Sequence, residues 1–204
     1  MNLIEITCPE GALEETQRQA IAHDVMSILL VEPDAPPQAV ERAGHLTHVW
    51  FRAASTWTTG AGRDQDRAST PFVVTITVPE VWREELSRRA IGAVRTALSR
   101  HVTAVARDRT GNVWINVVGV HEGSIGMNGR PSTSTDIVRY LTQDVAPPDA
   151  EDLPDGEAID PVCGMRVHLG PHAYTLTHNG RTIGFCASGC RAVYAEDHNL
   201  PIDA

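Results

Sequence analysis

Alternation of apolar and polar positions marks the start of the chain as a strand. Ile4, Ile6 and Cys8 interleave with Glu5 and Thr7, and Pro9 closes the run, which is the period of two expected where one strand face is buried. The period then lengthens. Leu13, Thr16, Ala20, Asp24 and Ile28, flanked by Ile21, Val25 and Leu29, recur at helical spacing. Leu46 to Ala53, rich in Val, Trp and Phe, reads as a second strand. The same sequence of patterns returns further along: Val74, Ile76 and Val78 alternate with Thr75 and Thr77 before Pro79, Leu86, Ala90, Val94 and Leu98 with Ile91 keep helical spacing, and Asn112 to Val120 reads as a strand.

This recurrence is a duplication. At an offset of 70 residues, Leu3 to Ile21 lies over Val73 to Ile91 with nine identities in nineteen positions, and Val49-Trp50-Phe51 later lies over Val113-Trp114-Ile115. Each half is a β-α-β unit, whose right-handed crossover requires its two strands to be parallel. The expected fold class is therefore α+β: a four-stranded sheet with two helices on one face and the other face bare. A bare apolar sheet face and open edges predict a homo-oligomer, specifically a trimer. Glycines at 119, 123, 126 and 129 predict a turn-rich tail after the fourth strand, in the form of a hairpin.

Residues 144–158 break the pattern, holding six acids, three prolines and few large aliphatics. Such a stretch buries too little apolar surface to offset its ordering entropy and reads as an extended linker. It separates a domain at 1–143 from one at 159–204.

Composition narrows the chemistry. With 204 residues, 42% hydrophobic and 21% charged, the chain has the make-up of a globular protein of one medium or two small domains. All 17 basic residues are arginine, which excludes a lysine Schiff base and a P-loop lysine. A net charge of -9 without a compensating basic stripe argues against nucleic acid. No apolar run approaches the roughly 18 to 20 residues that span a bilayer, and the first thirty residues lack the pattern of a secretory signal. The expected location is the cytoplasm, where four cysteines point to metal or thiol chemistry rather than to disulfides.

The first 140 or so residues resemble the tautomerase superfamily, the group of 4-oxalocrotonate tautomerase and macrophage migration inhibitory factor. The resemblance rests on the duplication, the order of elements and the tail His121-Glu122-Gly123-Ser124-Ile125-Gly126. It implies a trimer and proton transfer on a small keto or enol acid by an amino-terminal proline. Here residue 2 is Asn2, and Pro71, which falls over Met1 in the repeat, is an internal amide without a basic lone pair. The α-amino group of Met1 is the remaining base near that strand end. Arginines bind carboxylate substrates in such pockets, making Arg52, Arg63 and Arg67 the local candidates, although arginine must here also fill every solvated positive site. Cys8 shares the parity of Ile4 and Ile6 and reads as a small core residue.

The final 46 residues carry three of the four cysteines and four of the nine histidines. A segment this small rarely folds on its own core, so a metal cross-link is expected. Asp160-Pro161-Val162-Cys163-Gly164-Met165 reads as a turn presenting one thiol. Short strands follow over Val167 to Leu169 and Tyr174 to Thr177, and Asn179-Gly180 signals a hairpin into Arg181 to Phe185. Cys186 and Cys190, four apart at the start of a helix, face one side. Three thiolates suit three positions of a Zn2+ site or most of a Cu(I) or heavy-metal site. For a fourth ligand His178 is preferred, with His168, His172, His198 and Met165 as alternatives.

Residues 160 to about 201 resemble the YHS domain, a TRASH-like treble-clef metal-binding module, through Asp-Pro-Val-Cys-Gly-Met and the later Phe-Cys-x-x-x-Cys. The resemblance implies Cys163, Cys186 and Cys190 as ligands. Where that family often has aromatics ahead of the phenylalanine and a serine after the cysteine, this chain has Ile183-Gly184 and Ala187. The expectation is a metal-binding protein, with zinc most favoured and copper next, on a tautomerase-like scaffold. The competing expectation is an isomerase in which the metal domain is structural or regulatory.

Overall fold

The computed structural model describes residues 2–32, 34–60, 70–107, 112–145 and 153–202. The chain divides into two compact units, residues 1–31 with 44–120, and residues 32–43 with 121–204.

In the first unit, strand β1 (Asn2–Pro9) leads to helix α1 (Glu15–Leu30), and the chain returns as β2 (Thr47–Ala54) after helix α2 (Pro37–His45), most of which belongs to the second unit. The second copy runs from β3 (Phe72–Pro79) through a 3-10 turn (Glu80–Trp82) to α3 (Arg83–His101), the short α4 (Thr103–Arg107) and β4 (Val113–Val120). The sheet order is β2-β1-β3-β4. Within each repeat the strands are parallel, and the two repeats meet in an antiparallel β1–β3 pair with Ile4 opposite Ile76. The architecture is thus α+β with a four-stranded mixed sheet, as the repeat predicts.

One sheet face carries the core. Ile4, Ile6, Cys8, Val74, Ile76 and Val78 pack there with Ile21 and Val25 of α1 and Ala90, Val94, Ala97 and Leu98 of α3. Each fully buried isoleucine of this set contributes about 1.5 to 3 kcal/mol relative to exposure. Polar contacts fix the two helices to each other. Arg89 of α3 donates to the carbonyls of Leu29 and Val31 at the end of α1, at 3.2 and 2.8 Å, satisfying groups that the helix leaves unpaired. Asp24 of α1 accepts from Arg100 at 3.2 Å and lies 3.1 Å from His101 Nε2. Those bonds hold its carboxyl below the usual range.

Among the described residues of this unit, no layer covers the opposite face. It presents Trp50, Trp114 and Val118, 41%, 66% and 46% exposed, as the alternation in β2 and β4 requires. Glu5 on this face accepts from Trp50 Nε1 at 3.0 Å and pairs with Arg52 at 2.9 Å. At the far end of β4 the backbone of Gly119 passes the 3-10 turn so closely that a Cβ there would lie 2.8 Å from Glu80 Cα.

The second unit begins with a hairpin, β5 (Ile125–Met127) and β6 (Arg130–Ser132), turned by Asn128-Gly129, so the glycine-rich tail is a hairpin as expected. Helix α5 (Ser134–Thr142) follows, closed by a capping box between Thr133 and Asp136, while Glu122 accepts from the Ser134 N–H at 2.8 Å. Arg42 of α2 binds the other end of α5 through the carbonyls of Leu141 and Gln143 and the Asp144 carboxylate. Two further hairpins come next, β7 (Glu157–Ile159) with β8 (Arg166–His168), and β9 (Tyr174–His178) with β10 (Arg181–Phe185). Both Asn179 and Gly180 have positive φ, 52° and 73°, the backbone of a type I′ turn. Helix α6 (Ser188–His198) ends the unit. Arg139 of α5 pairs with Glu196 and Asp197 of α6 at 3.0 and 2.7 Å.

Candidate metal centre

Two pieces of backbone deliver the sulfur atoms. The first is the loop between β7 and β8. The Gly164 N–H donates to the Asp160 carbonyl at 2.8 Å and the Asp160 N–H to the Met165 carbonyl at 2.9 Å, curling residues 160–165 into a tight knuckle with Cys163 at its tip. Gly164 has φ +74°, a conformation that costs a residue with a Cβ about 1 kcal/mol or more. The second piece is the junction of β10 and α6. Cys186 directly follows β10 and precedes the extended N-cap residue Ala187, while Cys190 lies in the first turn of α6. The two thiols are four residues apart as expected, but Cys186 stands just ahead of the helix rather than on it.

The sulfurs converge. Cys163 Sγ is 3.5 Å from Cys186 Sγ, which is 3.7 Å from Cys190 Sγ. Together with the Asp160 carboxylate, all the ligand atoms of this group lie within 4.8 Å of one another. A tetrahedral ion with metal–sulfur bonds of about 2.3 Å sets its sulfurs about 3.8 Å apart, close to both measured edges. The donor set therefore fits a thiophilic cation without large movement. All three cysteines are free thiols.

Electrostatics set the three sulfurs apart. The S–H groups of Cys186 and Cys190 stabilise negative charge on Cys163, whose pKa is pulled down to about 3. That charge, with burial, drives the other two thiols well above the ordinary range. The trio without a cation thus holds one thiolate readily and resists a second.

Asp160 is the feature that the sequence reading did not single out. Its side chain is fully buried. Oδ1 accepts from the Val162 N–H at 2.8 Å and the Cys163 N–H at 3.4 Å, and Oδ2 accepts from the Cys186 N–H at 2.8 Å. One carboxylate therefore ties both sulfur-bearing pieces together. An Asp three residues before a turn cysteine is a recognisable Asx-turn signal, but its long-range bond to residue 186 is not a local pattern.

The other candidates lie elsewhere. His178 is outside the converging group; its Nδ1 is 2.8 Å from the Tyr194 hydroxyl and its ring is 4.9 Å from that of His198. His168, His172 and His198 are exposed. Gly184 leaves room for Leu169, whose Cδ2 would meet a Cβ there at 2.6 Å, so an aliphatic side chain occupies the space that a larger residue at 184 would need. In the first unit, Arg52 is paired with Glu5 and Cys8 is buried in the core. Met1, Arg63 and Arg67 lie outside the described residues.

No protein-family model matches the chain, and no curated protein matches it. Solved structures do show similarity. Pt0534 inactivated by 2-oxo-3-pentynoate is 12% identical at a TM-score of 0.47, covering 64% of this chain and 94% of that one. A wild-type fused 4-OT, an asymmetric trimer, is 10% identical at 0.46, covering 64% and 95%. Macrophage migration inhibitory factor of Toxoplasma gondii is 12% identical at 0.44, covering 63% and 97%. Likeness at this level assigns neither family nor activity. Among the described residues no helix is long and apolar enough to cross a membrane.

Proposed function

We propose that the chain is a metal-binding protein whose C-terminal module holds one transition or heavy-metal ion through Cys163, Cys186 and Cys190. The observation that carries this reading is the convergence of three sulfurs from a hairpin knuckle and a helix start. Knuckle, β9–β10 hairpin and helix follow one another in the order of a treble clef, which supports reading the segment as a YHS-like module. Zinc suits three thiolates with a fourth donor, and Cu(I) suits three thiolates alone. The ion supplies a cross-link between two loops that otherwise rest on a small core. Neighbouring thiols persist in a reducing compartment, so the reading places the protein in the cytoplasm.

The first unit serves in this proposal as an oligomeric scaffold, a trimer, closing its bare sheet face around Trp50, Trp114 and Val118. Elemental analysis of the purified full chain tests the metal reading: one equivalent of zinc or copper is expected, and none in a Cys163, Cys186 and Cys190 triple serine variant. Equal metal content in both would reject it.

A second reading, an isomerase of the tautomerase type, is favoured by the duplicated β-α-β arrangement with its antiparallel centre. Residue 2 is Asn2 rather than proline, and Glu5 is already paired with Arg52. Ketonisation of phenylenolpyruvate that disappears when the Met1 amine is blocked would support it; no turnover above buffer would dismiss it.

A further inference from the structure

The buried carboxylate of Asp160 lies among the possible ligand atoms, yet its bonds describe a different task. Both oxygens are already engaged by backbone N–H groups: Oδ1 by Val162 and Cys163, Oδ2 by Cys186. These donors belong to the two backbone pieces that carry the sulfurs, and Asp160 itself opens the knuckle through its main-chain bonds to Gly164 and Met165. Three of the roughly four lone-pair directions of the carboxylate are thus taken by backbone donors, and removing the carboxylate would orphan buried N–H groups on both pieces at about 1 to 3 kcal/mol each.

We infer that Asp160 is a positioning residue outside the coordination sphere, which clamps the Cys163 knuckle to the β10–α6 junction and leaves the cation to three sulfurs and an exchangeable outside donor. This inference rests on the metal-binding reading above and deepens it, because it specifies what the site offers. A fully protein-saturated site holds its ion for structure alone. A site of three sulfurs, with its carboxylate spent on backbone, keeps one position from which an incoming thiol or water can start exchange. The class of ion it favours is thiophilic, since the hard oxygen nearest the sulfurs is withheld.

Asp160→Asn separates the roles. An amide keeps one acceptor oxygen and turns an NH2 group toward the donors that the other oxygen served, so the clamp is broken on one side while the size of the side chain is kept. In the full chain, Zn2+ affinity measured by competition with a chelating dye is expected to fall about 10- to 100-fold, as for other groups that orient metal ligands. Zinc bound to the variant should still show three sulfur neighbours. Unchanged affinity would remove Asp160 from any role, and an oxygen neighbour present in the wild type but lost in the variant would make it a ligand.

Amide hydrogen exchange of the wild-type chain tests the clamp even if the variant does not fold, and the count of oxygen neighbours around zinc in the wild type tests ligation. The Cys186 and Val162 N–H groups should be protected without zinc and stay protected with it. Loss of their protection on zinc loading would overturn the inference, because it would mean that the carboxylate had swung to the ion. If the wild type takes up no zinc, the metal-binding reading fails by itself; protection of the Cys186 N–H then still reports whether the clamp exists.

Discussion

Binding of a cation to the three thiols should release two protons, not three, because the clustered sulfurs shift one another's pKa in opposite directions, Cys163 down and Cys186 and Cys190 up. Cys163 sits 3.5 Å from Cys186 within the trio, and the charge shared there is held as a Cys163 thiolate with its pKa pulled down to about 3. Cys186 and Cys190 are pushed upward, so near neutral pH the cation-free site carries two protons, and both must leave as thiolates bind metal. The affinity should therefore rise by about 100-fold per pH unit near neutrality, equivalent to about 2.7 kcal/mol per unit. Three independent thiols with ordinary pKa values of about 8.5 would instead lose nearly three protons at pH 7. Titration calorimetry with Zn2+ in buffers of different ionisation enthalpy counts the protons directly. A count near three would refute the preformed thiolate, and a count near zero would mean that the sulfurs are not the ligands.

Other consequences lie in the first unit. Gly119→Ala places a Cβ 2.8 Å from Glu80 Cα and should lower stability by about 1 to 3 kcal/mol, as overpacking against backbone does; an unchanged melting temperature would contradict the close approach. Trp114→Arg puts a charge on the bare sheet face and should yield a folded monomer in sedimentation velocity where the wild type assembles, whereas a monomeric wild type would dismiss the oligomer. Asp24 has a folded-state pKa below its unfolded value because of Arg100 and His101, so its stabilisation is present above about pH 4 and is lost as the pH falls through the lower folded value. Urea denaturation should accordingly find Asp24→Asn less stable than wild type at pH 7, with the gap closing toward pH 2; a gap independent of pH would reject the pairing.

The repeat made the first unit legible because each β-α-β half is a local pattern. The apolar parity of Ile4, Ile6 and Cys8 matches their burial, and Pro9 and Pro79 end their strands. The turn chemistry of Asn179-Gly180 likewise sits in five residues of sequence. What escaped the sequence reading depends on contacts across long distances. Helices α2 and α5 are short and take their places through Arg42 and Arg139, which no periodicity announces. Arg52 looked free until the β1–β2 register set Glu5 opposite Trp50 and diagonal to it. The three cysteines could be named from spacing and resemblance, but Asp160 could not be seen as their organiser, because one of its oxygens serves an N–H 26 residues away.

X-ray absorption on the zinc-loaded full chain tests the central claim most directly, since it counts the atoms around the ion. Three sulfur neighbours at about 2.3 Å and at most one lighter atom are expected. A shell of nitrogen and oxygen, or fewer than three sulfurs, would contradict a site built from Cys163, Cys186 and Cys190.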